Sequence, residues 1–152
     1  MPMNNSDVVL RAARRPDDYP QLVEIWRSAV RATHDFLDES DFRRIEGNLA
    51  SAYFPAVTLT VAERDGRPVG FAGTADGNLE MLFVSDDVRG SGIGSALLAE
   101  TIAKDGVIKV DVNEQNSGAH GFYLNRGFTQ VGRSELDGDG RPYPILHLAL
   151  SA

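Results

Sequence analysis

The chain has no cysteine among its 152 residues, which excludes disulfides, thiolate metal ligands and a covalent acyl-cysteine intermediate. It has only three histidines and no HExxH pattern, so no metal site is expected. No GxSxG sequence occurs, which leaves a serine hydrolase without support. Basic residues are outnumbered 15 to 22 by acidic ones, for a formal net charge of −7. A nucleic-acid binder needs a basic face to neutralise phosphates, so the charge argues against nucleic acid as a partner and a cationic or neutral small partner fits better. No stretch approaches the roughly 18 apolar residues of a membrane span, and the start, MPMNNSDVV, lacks a basic region followed by an apolar one. The expectation is a soluble cytoplasmic protein with no membrane partner.

What is present is a hydrophobic content of 42% in a chain sized for one core, read as a single domain over residues 1–152. VVLRAA predicts a short strand, and RPDDYP places acids and prolines where a helix should begin. Leu22, Ile25, Trp26, Ala29 and Val30 recur at helical spacing and give one buried face; a weaker helix follows over Ser40 to Ala50. Asp65-Gly66 and Asp76-Gly77 supply the positive φ angles of tight hairpins, so strands at 57–64, 67–75 and 78–84 form an antiparallel meander.

An amphipathic helix carrying Ile93, Leu97, Leu98 and Ile102 precedes the strand VIKVDV. A hairpin cannot join that strand to the meander, so the helix is a crossover and the two strands are expected to be parallel neighbours. A helix from Ser117 to Arg126 should stop at Gly127, and FTQVGRSEL and YPILHLAL close the chain around the turn DGDGRP. The fold class is α/β: a mixed, mostly antiparallel central sheet with flanking helices.

RGSGIG, residues 89–94, ends the meander and opens a helix. Glycines let main-chain N–H groups approach a ligand without a Cβ in the way, and the helix N-terminus adds partial positive charge. A diphosphate suits such a loop; a plain strand-to-helix turn is the alternative. A P-loop is ruled out because Gly94-Ser95 lacks the lysine. A dinucleotide fold needs GxGxxG, whereas Gly90, Gly92 and Gly94 read GxGxG. Asp111 imitates the ribose-binding acid of that fold, which stays as a rival, but the three antiparallel strands ahead of the loop do not suit it.

A second cluster, NEQNSGAHGFYLNRGF, places Asn116, Ala119 and Tyr123 on one helical face. With RGSGIG one helix earlier, the chain resembles the GCN5-related N-acetyltransferase superfamily. The Arg/Gln-x-x-Gly-x-Gly/Ala motif is met by Arg89, Gly92 and Gly94, and the N-x-x-A-x-x-F-Y-x-x-x-G-F pattern runs from Asn116 to Phe128. IWRSAVRATHDFL and GRPYPILHLAL are similar to stretches of the bacterial YjaB-type branch.

The resemblance implies acetyl-CoA as cofactor, direct acetyl transfer to an amine acceptor, and a parallel strand pair that splays apart. It implies that Arg89, Gly90, Ser91, Gly92, Ile93, Gly94 and Ser95 receive the diphosphate, that Leu82, Phe83 and Val84 lie along the pantetheine arm, and that a main-chain N–H there, that of Val84, faces the thioester carbonyl. Asn116 and Ala119 would contact the cofactor, Asn116 doubling as a helix cap. Tyr123 matches the family tyrosine near the sulfur, where a protonated phenol can serve the departing thiolate; packing on the sheet is its plainer role.

Glu80 is the candidate base, read by alternation onto the face of Leu82 and Val84, with an exposed strand glutamate as the alternative. His34 and Asp35, in the segment where the family places its acceptor-binding lip, are the substrate candidates and the other candidates for the base, with a helix-end cap as the alternative. That segment, THDFLDESDF, also holds Asp38, Glu39 and Asp41 with no basic residue, an acidic cluster expected to attract a cationic amine. A non-catalytic acyl-CoA sensor would need the same loop but neither proton donor nor acceptor cleft. Protein lysine, protein N-terminus, polyamine, amino acid and aminoglycoside acceptors stay open, as do monomer and homodimer.

Overall fold

The structure, a computed structural model, describes residues 8–151. The elements run β1 (Val8–Ala12), α1 (Tyr19–Thr33), α2 (Glu39–Asn48), β2 (Thr58–Arg64), β3 (Arg67–Ala75), β4 (Asn78–Val84), α3 (Ile93–Asp105), β5 (Lys109–Asn113), α4 (Ser117–Leu124), β6 (Phe128–Ser134) and β7 (Ile145–Leu150). One seven-stranded sheet has the order β1-β2-β3-β4-β5-β7-β6. Every neighbouring pair is antiparallel except β4 with β5. No helix among the described residues is long and apolar enough to cross a membrane.

Both predicted hairpin turns form, with Asp65, Gly66, Asp76 and Gly77 all at positive φ. Alternation along β2 sends Leu59 and Val61 to one face of the sheet and Ala62 to the other. On the first face they meet Leu22, Ile25, Trp26 and Val30 of α1, the helical stripe expected from the sequence. On the second face Ala62, Ala72 and Leu79 meet Ile93, Leu97 and Leu98 of α3. Gly70 permits that contact, since a Cβ there would stand 3.2 Å from Ile93 Cγ2.

Three helix boundaries differ from expectation. The second helix begins at Glu39 rather than Ser40, because the Asp38 carboxylate caps it by accepting from the Asp41 N–H at 2.8 Å. It gives way at Leu49–Tyr53 to a π-helical turn, closed by Phe54 N–H donating to the Leu49 carbonyl, and then to a 3₁₀ turn at Phe54–Ala56; Leu49 and Phe54 are both buried. α4 stops at Leu124 instead of Arg126, with Asn125 as C-cap, and Gly127 follows at φ 93° to turn the chain into β6.

At the start of α1, Asp18 does not cap the helix with its side chain. Its carboxylate instead accepts from Arg11 at 2.7 and 3.1 Å and from the Arg14 N–H at 2.7 Å, tying β1 to α1.

Candidate active site

The parallel pairing of β4 with β5 spans only Asn78↔Lys109 and Leu79↔Val110. Beyond it the strands diverge, β4 staying with β3 through Val84 and β5 with β7 through Asn113. The edge of Met81–Val84 that faces the gap therefore has no ladder, and its main-chain donors and acceptors are open to a guest. Glu80 sits where the gap begins. The β3–β4 register shifts there, Gly73 facing Met81 and Thr74 facing Leu79, so Glu80 is the bulged residue with no cross-strand partner.

That bulge corrects the strand-face expectation for Glu80. Leu82 and Val84 pack on the α3 face, whereas Glu80 lines a cavity on the α1 face together with Met81 and Phe83. Simple alternation fails because the extra residue resets the period by one. Glu80 keeps much of its surface exposed, but partial desolvation at the cleft, with the Asp111 carboxylate adding repulsion, holds its carboxyl above the ordinary pKa.

On the α3 face the gap leads to the glycine loop. Gly90 and Gly92 have φ 79° and 86°, the left-handed region that glycine alone enters cheaply. Gly92 is the N-cap of α3 and contributes no side-chain cap, so the first N–H groups, those of Ile93, Gly94 and Ser95, have no acceptor among the described residues. Gly94 differs from the other two: its φ is not positive, and a Cβ would meet Phe122 at an ordinary 3.7 Å. Ser91 Oγ donates to the Val88 carbonyl and stiffens the turn. Arg89 is exposed, with Nη1 3.3 Å from Asp86.

Asn116 caps α4, its Oδ1 accepting from the Ala119 N–H at 3.1 Å. Ala119 packs against the core cluster on the α3 face, and Tyr123 lies within that cluster, 6% exposed, in edge contact with Phe122 and Phe128. Burial pushes the Tyr123 phenol well above its ordinary pKa. Its hydroxyl has no hydrogen-bond partner among the described residues, nor is it fully sealed from the surface. Tyr123 and Glu80 thus stand on opposite faces of the sheet.

The cavity on the α1 face measures about 420 Å³. Trp26, Val30, Leu49 and Phe83 form apolar walls, and His34, Glu80, Asn113, Asp137 and Tyr143 are among its polar groups. His34 is therefore in the site, but Asp35 is exposed and does not line the cavity. Thr33 Oγ1 donates its single proton to the Ala29 carbonyl at 2.8 Å, so it accepts from His34 Nδ1 at 2.8 Å, which leaves the Nε2 lone pair unused. Burial holds the imidazole below its ordinary pKa, against a smaller opposing pull from Asp35.

The acidic lip is not a free anionic cluster. Glu39 is bonded to Arg31 at 2.7 Å, Asp38 caps α2, and Asp41 accepts from Tyr143 Oη at 2.6 Å and from Arg141 at 3.2 Å. The hydrogen bonds to Tyr143 and Arg141 hold the Asp41 carboxyl below its ordinary pKa. The partners come from Arg31 in α1 and from the β6–β7 connection, which a reading of ten consecutive residues does not see.

Several further residues were not foreseen. Tyr143 and Asp137 from the β6–β7 connection, Asn113 from the end of β5 and Tyr53 from the π-helical turn line the cavity, and none was singled out as a site residue from the sequence. Arg126 was readable only as a cation near the end of a helix. Its guanidinium donates to Ser95 Oγ at 2.7 and 3.0 Å and stacks 3.8 Å over the Phe122 ring, which places a second cation beside the glycine loop. On the exposed side of β5, β7 and β6, His147 Nδ1 lies 2.7 Å from Asp111 Oδ1 and Nε2 lies 2.7 Å from Ser134 Oγ. An ionised carboxylate can only accept, so the proton sits on Nδ1.

The comparisons with known proteins agree with this geometry. A family model described as an acetyltransferase (GNAT) domain matches residues 55–130. The peptidyl-lysine N-acetyltransferase YjaB of Escherichia coli (strain K12) is 42% identical over 137 residues, covering 89% of this chain and 92% of that protein. The solution structure of apo YjaB from Escherichia coli superposes with a TM-score of 0.85 at 38% identity, covering 95% of this chain and 98% of the other. The PaiA N-acetyltransferase of Thermoplasma acidophilum in complex with coenzyme A superposes with a TM-score of 0.74 over 95% of this chain and 99% of the other; at 19% identity it shows the fold alone.

Proposed function

The chain belongs to the acetyltransferase (GNAT) family and is an acetyl-CoA-dependent N-acetyltransferase, and from that premise we propose that the gap between β4 and β5 holds the reacting acetyl group. The observation that carries this reading is the two-residue parallel pairing. It opens a slot with helix N–H donors on one side and a carboxylate-bearing cavity on the other.

Acetyl-CoA supplies an acetyl group already activated as a thioester. The residues fit its diphosphate: the N–H groups from Gly90 to Ser95 converge at the start of α3, and Arg89 and Arg126 add full charges at the loop. The open edge of Leu82, Phe83 and Val84 bonds the pantetheine amides, and the Val84 N–H is assigned to the acetyl oxygen, where negative charge develops. Asn116 and Ala119 border the cofactor from the head of α4.

On the cavity side, Glu80 takes a proton from the acceptor ammonium, and its raised carboxyl pKa brings it nearer to that task. His34 is the second group able to accept, through Nε2. On the opposite face Tyr123 keeps its proton at every physiological pH and can give it to the departing sulfur. The acceptor is a primary amine. The peptidyl-lysine activity in the name of the Escherichia coli relative makes a lysine side chain the first acceptor to assay.

The test is thiol release from acetyl-CoA across a panel of amines beside a water-only control, with the acetylated product identified by mass spectrometry. Amine-dependent release with matching product is expected. Release that is equal with and without amine would overturn the acceptor reading.

A further inference from the structure

Protein interiors pack as densely as organic crystals, and voids much larger than a water molecule are few. The cleft of about 420 Å³ walled by Trp26, Val30, Phe36, Leu49, Met81 and Phe83 is no such void: it opens to solvent, and its size marks a place for a guest. For scale, an engineered apolar cavity of about 150 Å³ takes one benzene molecule. The four-carbon stem of a lysine is smaller than benzene and would leave most of this space unfilled. The volume lies within the roughly 300–1,000 Å³ range of small-molecule sites.

The carboxylates are the charged groups of the wall, beside the polar His34, Asn113, Tyr53 and Tyr143. Glu80 and Asp137 are present, with no lysine or arginine lining the cavity. Such a lining favours a guest that is cationic at one end and apolar over the rest.

The surroundings of the cavity also restrict what can enter. Tyr143 Oη donates to Asp41 at 2.6 Å and accepts from the Asp38 N–H at 3.3 Å, while the rings of Phe36 and Tyr143 stand 6.2 Å apart. Arg44 reaches Asp139 at 2.8 Å. Together these contacts tie the α1–α2 segment to the β6–β7 connection along one side of the cavity. Bridged along this side, the cleft still opens to solvent, and its walled end suits a compact apolar body.

From these observations we infer a further acceptor class for the proposed acetyl transfer: small primary amines with an aromatic or bulky apolar body, the ammonium at Glu80 and the body against Trp26 and Phe83. This rests on the proposed function, since it takes the same Glu80 and the same slot. The amine nitrogen bonds to the acetyl carbon as the carbon–sulfur bond breaks, one proton passes to Glu80 and one proton reaches the sulfur.

The experiment compares kcat/KM at saturating acetyl-CoA for 2-phenylethylamine and tryptamine with that for ethanolamine, spermidine and Nα-acetyl-lysine amide. Apolar pockets discriminate by about 10- to 200-fold for even one added methylene, so the aromatic amines are expected to exceed each of the others by tenfold or more. Ala56→Phe and Ala75→Phe, which narrow the cavity from an exposed and a half-buried position, should lower the aromatic amines' kcat/KM at least tenfold. The KM for acetyl-CoA should not move. Acetylation of the polar amines or the lysine amide in preference to the aromatic ones would overturn this inference while leaving the acetyl-transfer reading intact. A protein that binds CoA yet acetylates none of the five would overturn both.

Discussion

The glycine loop at the head of α3 and the cavity under α1 stand on opposite faces of β4 and are built in opposite ways. The loop is contiguous, Arg89 to Ser95, and offers main-chain N–H groups whose direction is set by glycine φ angles. The cavity is assembled from residues as far apart as Trp26 and Tyr143, and its properties come from side-chain volume and charge. One site therefore depends on backbone conformation and tolerates most side chains that do not disturb it. The other can be re-specified by a single side chain without altering the fold.

If the two sides share one reaction, the largest effect should come from the group that serves the sulfur. Tyr123→Phe keeps the ring that packs against Phe122 and Phe128 and removes only the hydroxyl that carries the proton. Loss of a general acid is worth about 10² to 10⁴ in rate, so kcat should fall by that factor while the KM for acetyl-CoA changes little. Steady-state kinetics on a variant with an unchanged melting temperature checks this, and an unaltered kcat would reduce Tyr123 to a packing residue.

The loop side is sharpened by contrasting its glycines. Ligand linkage predicts about 2.7 kcal/mol of stabilisation by CoA at a hundredfold excess over its Kd. Gly92→Asp should remove most of that, because φ 86° is hostile to a side chain and a carboxylate would face the diphosphate. Gly94→Ala should leave both folding and the CoA-induced shift within about 0.5 kcal/mol of the parent, since its Cβ finds only ordinary contacts. Thermal melts with and without CoA read both. Equal damage from the two substitutions would show that φ is not what the loop uses glycine for.

The same contrast explains what could be read from the chain alone. Hairpins, the α1 stripe, the crossover helix, the parallel pair and the glycine loop are all local patterns, and each forms at or near its expected position. The strand face of Glu80 was misread because a bulge is invisible to alternation. The acidic lip was misread because the arginines and the tyrosine that engage Glu39 and Asp41 arrive from Arg31, Arg141 and Tyr143. The cavity could not be foreseen at all, since a void is a property of how distant segments fail to fill space.

The smallest effect concerns which group on the cavity side accepts the proton. Glu80 and Asp111 flank the point where β4 and β5 part, one position beyond the last paired residues, Leu79 and Val110. The Glu80 carboxyl is held high first by partial desolvation and second by the Asp111 charge. Asp111→Asn removes only the second cause, and its amide oxygen can still accept from His147 Nδ1. A base works when deprotonated, so activity rises with pH through its pKa; lowering the Glu80 pKa should move the ascending limb of kcat/KM toward lower pH. The limb should remain above that of an unperturbed glutamate because the partial desolvation is untouched, and the plateau at higher pH should not change. The other titratable groups of the cavity, His34, Tyr53, Asp137 and Tyr143, give a different answer. His34 is governed by burial and by Asp35, with no contribution from Asp111, so a limb set by His34 would stay in place in Asp111→Asn and move to lower pH in Asp35→Asn, where the charge that favours the imidazolium is gone. Measuring kcat/KM against pH for the two variants side by side assigns the base to whichever carboxamide moves the limb.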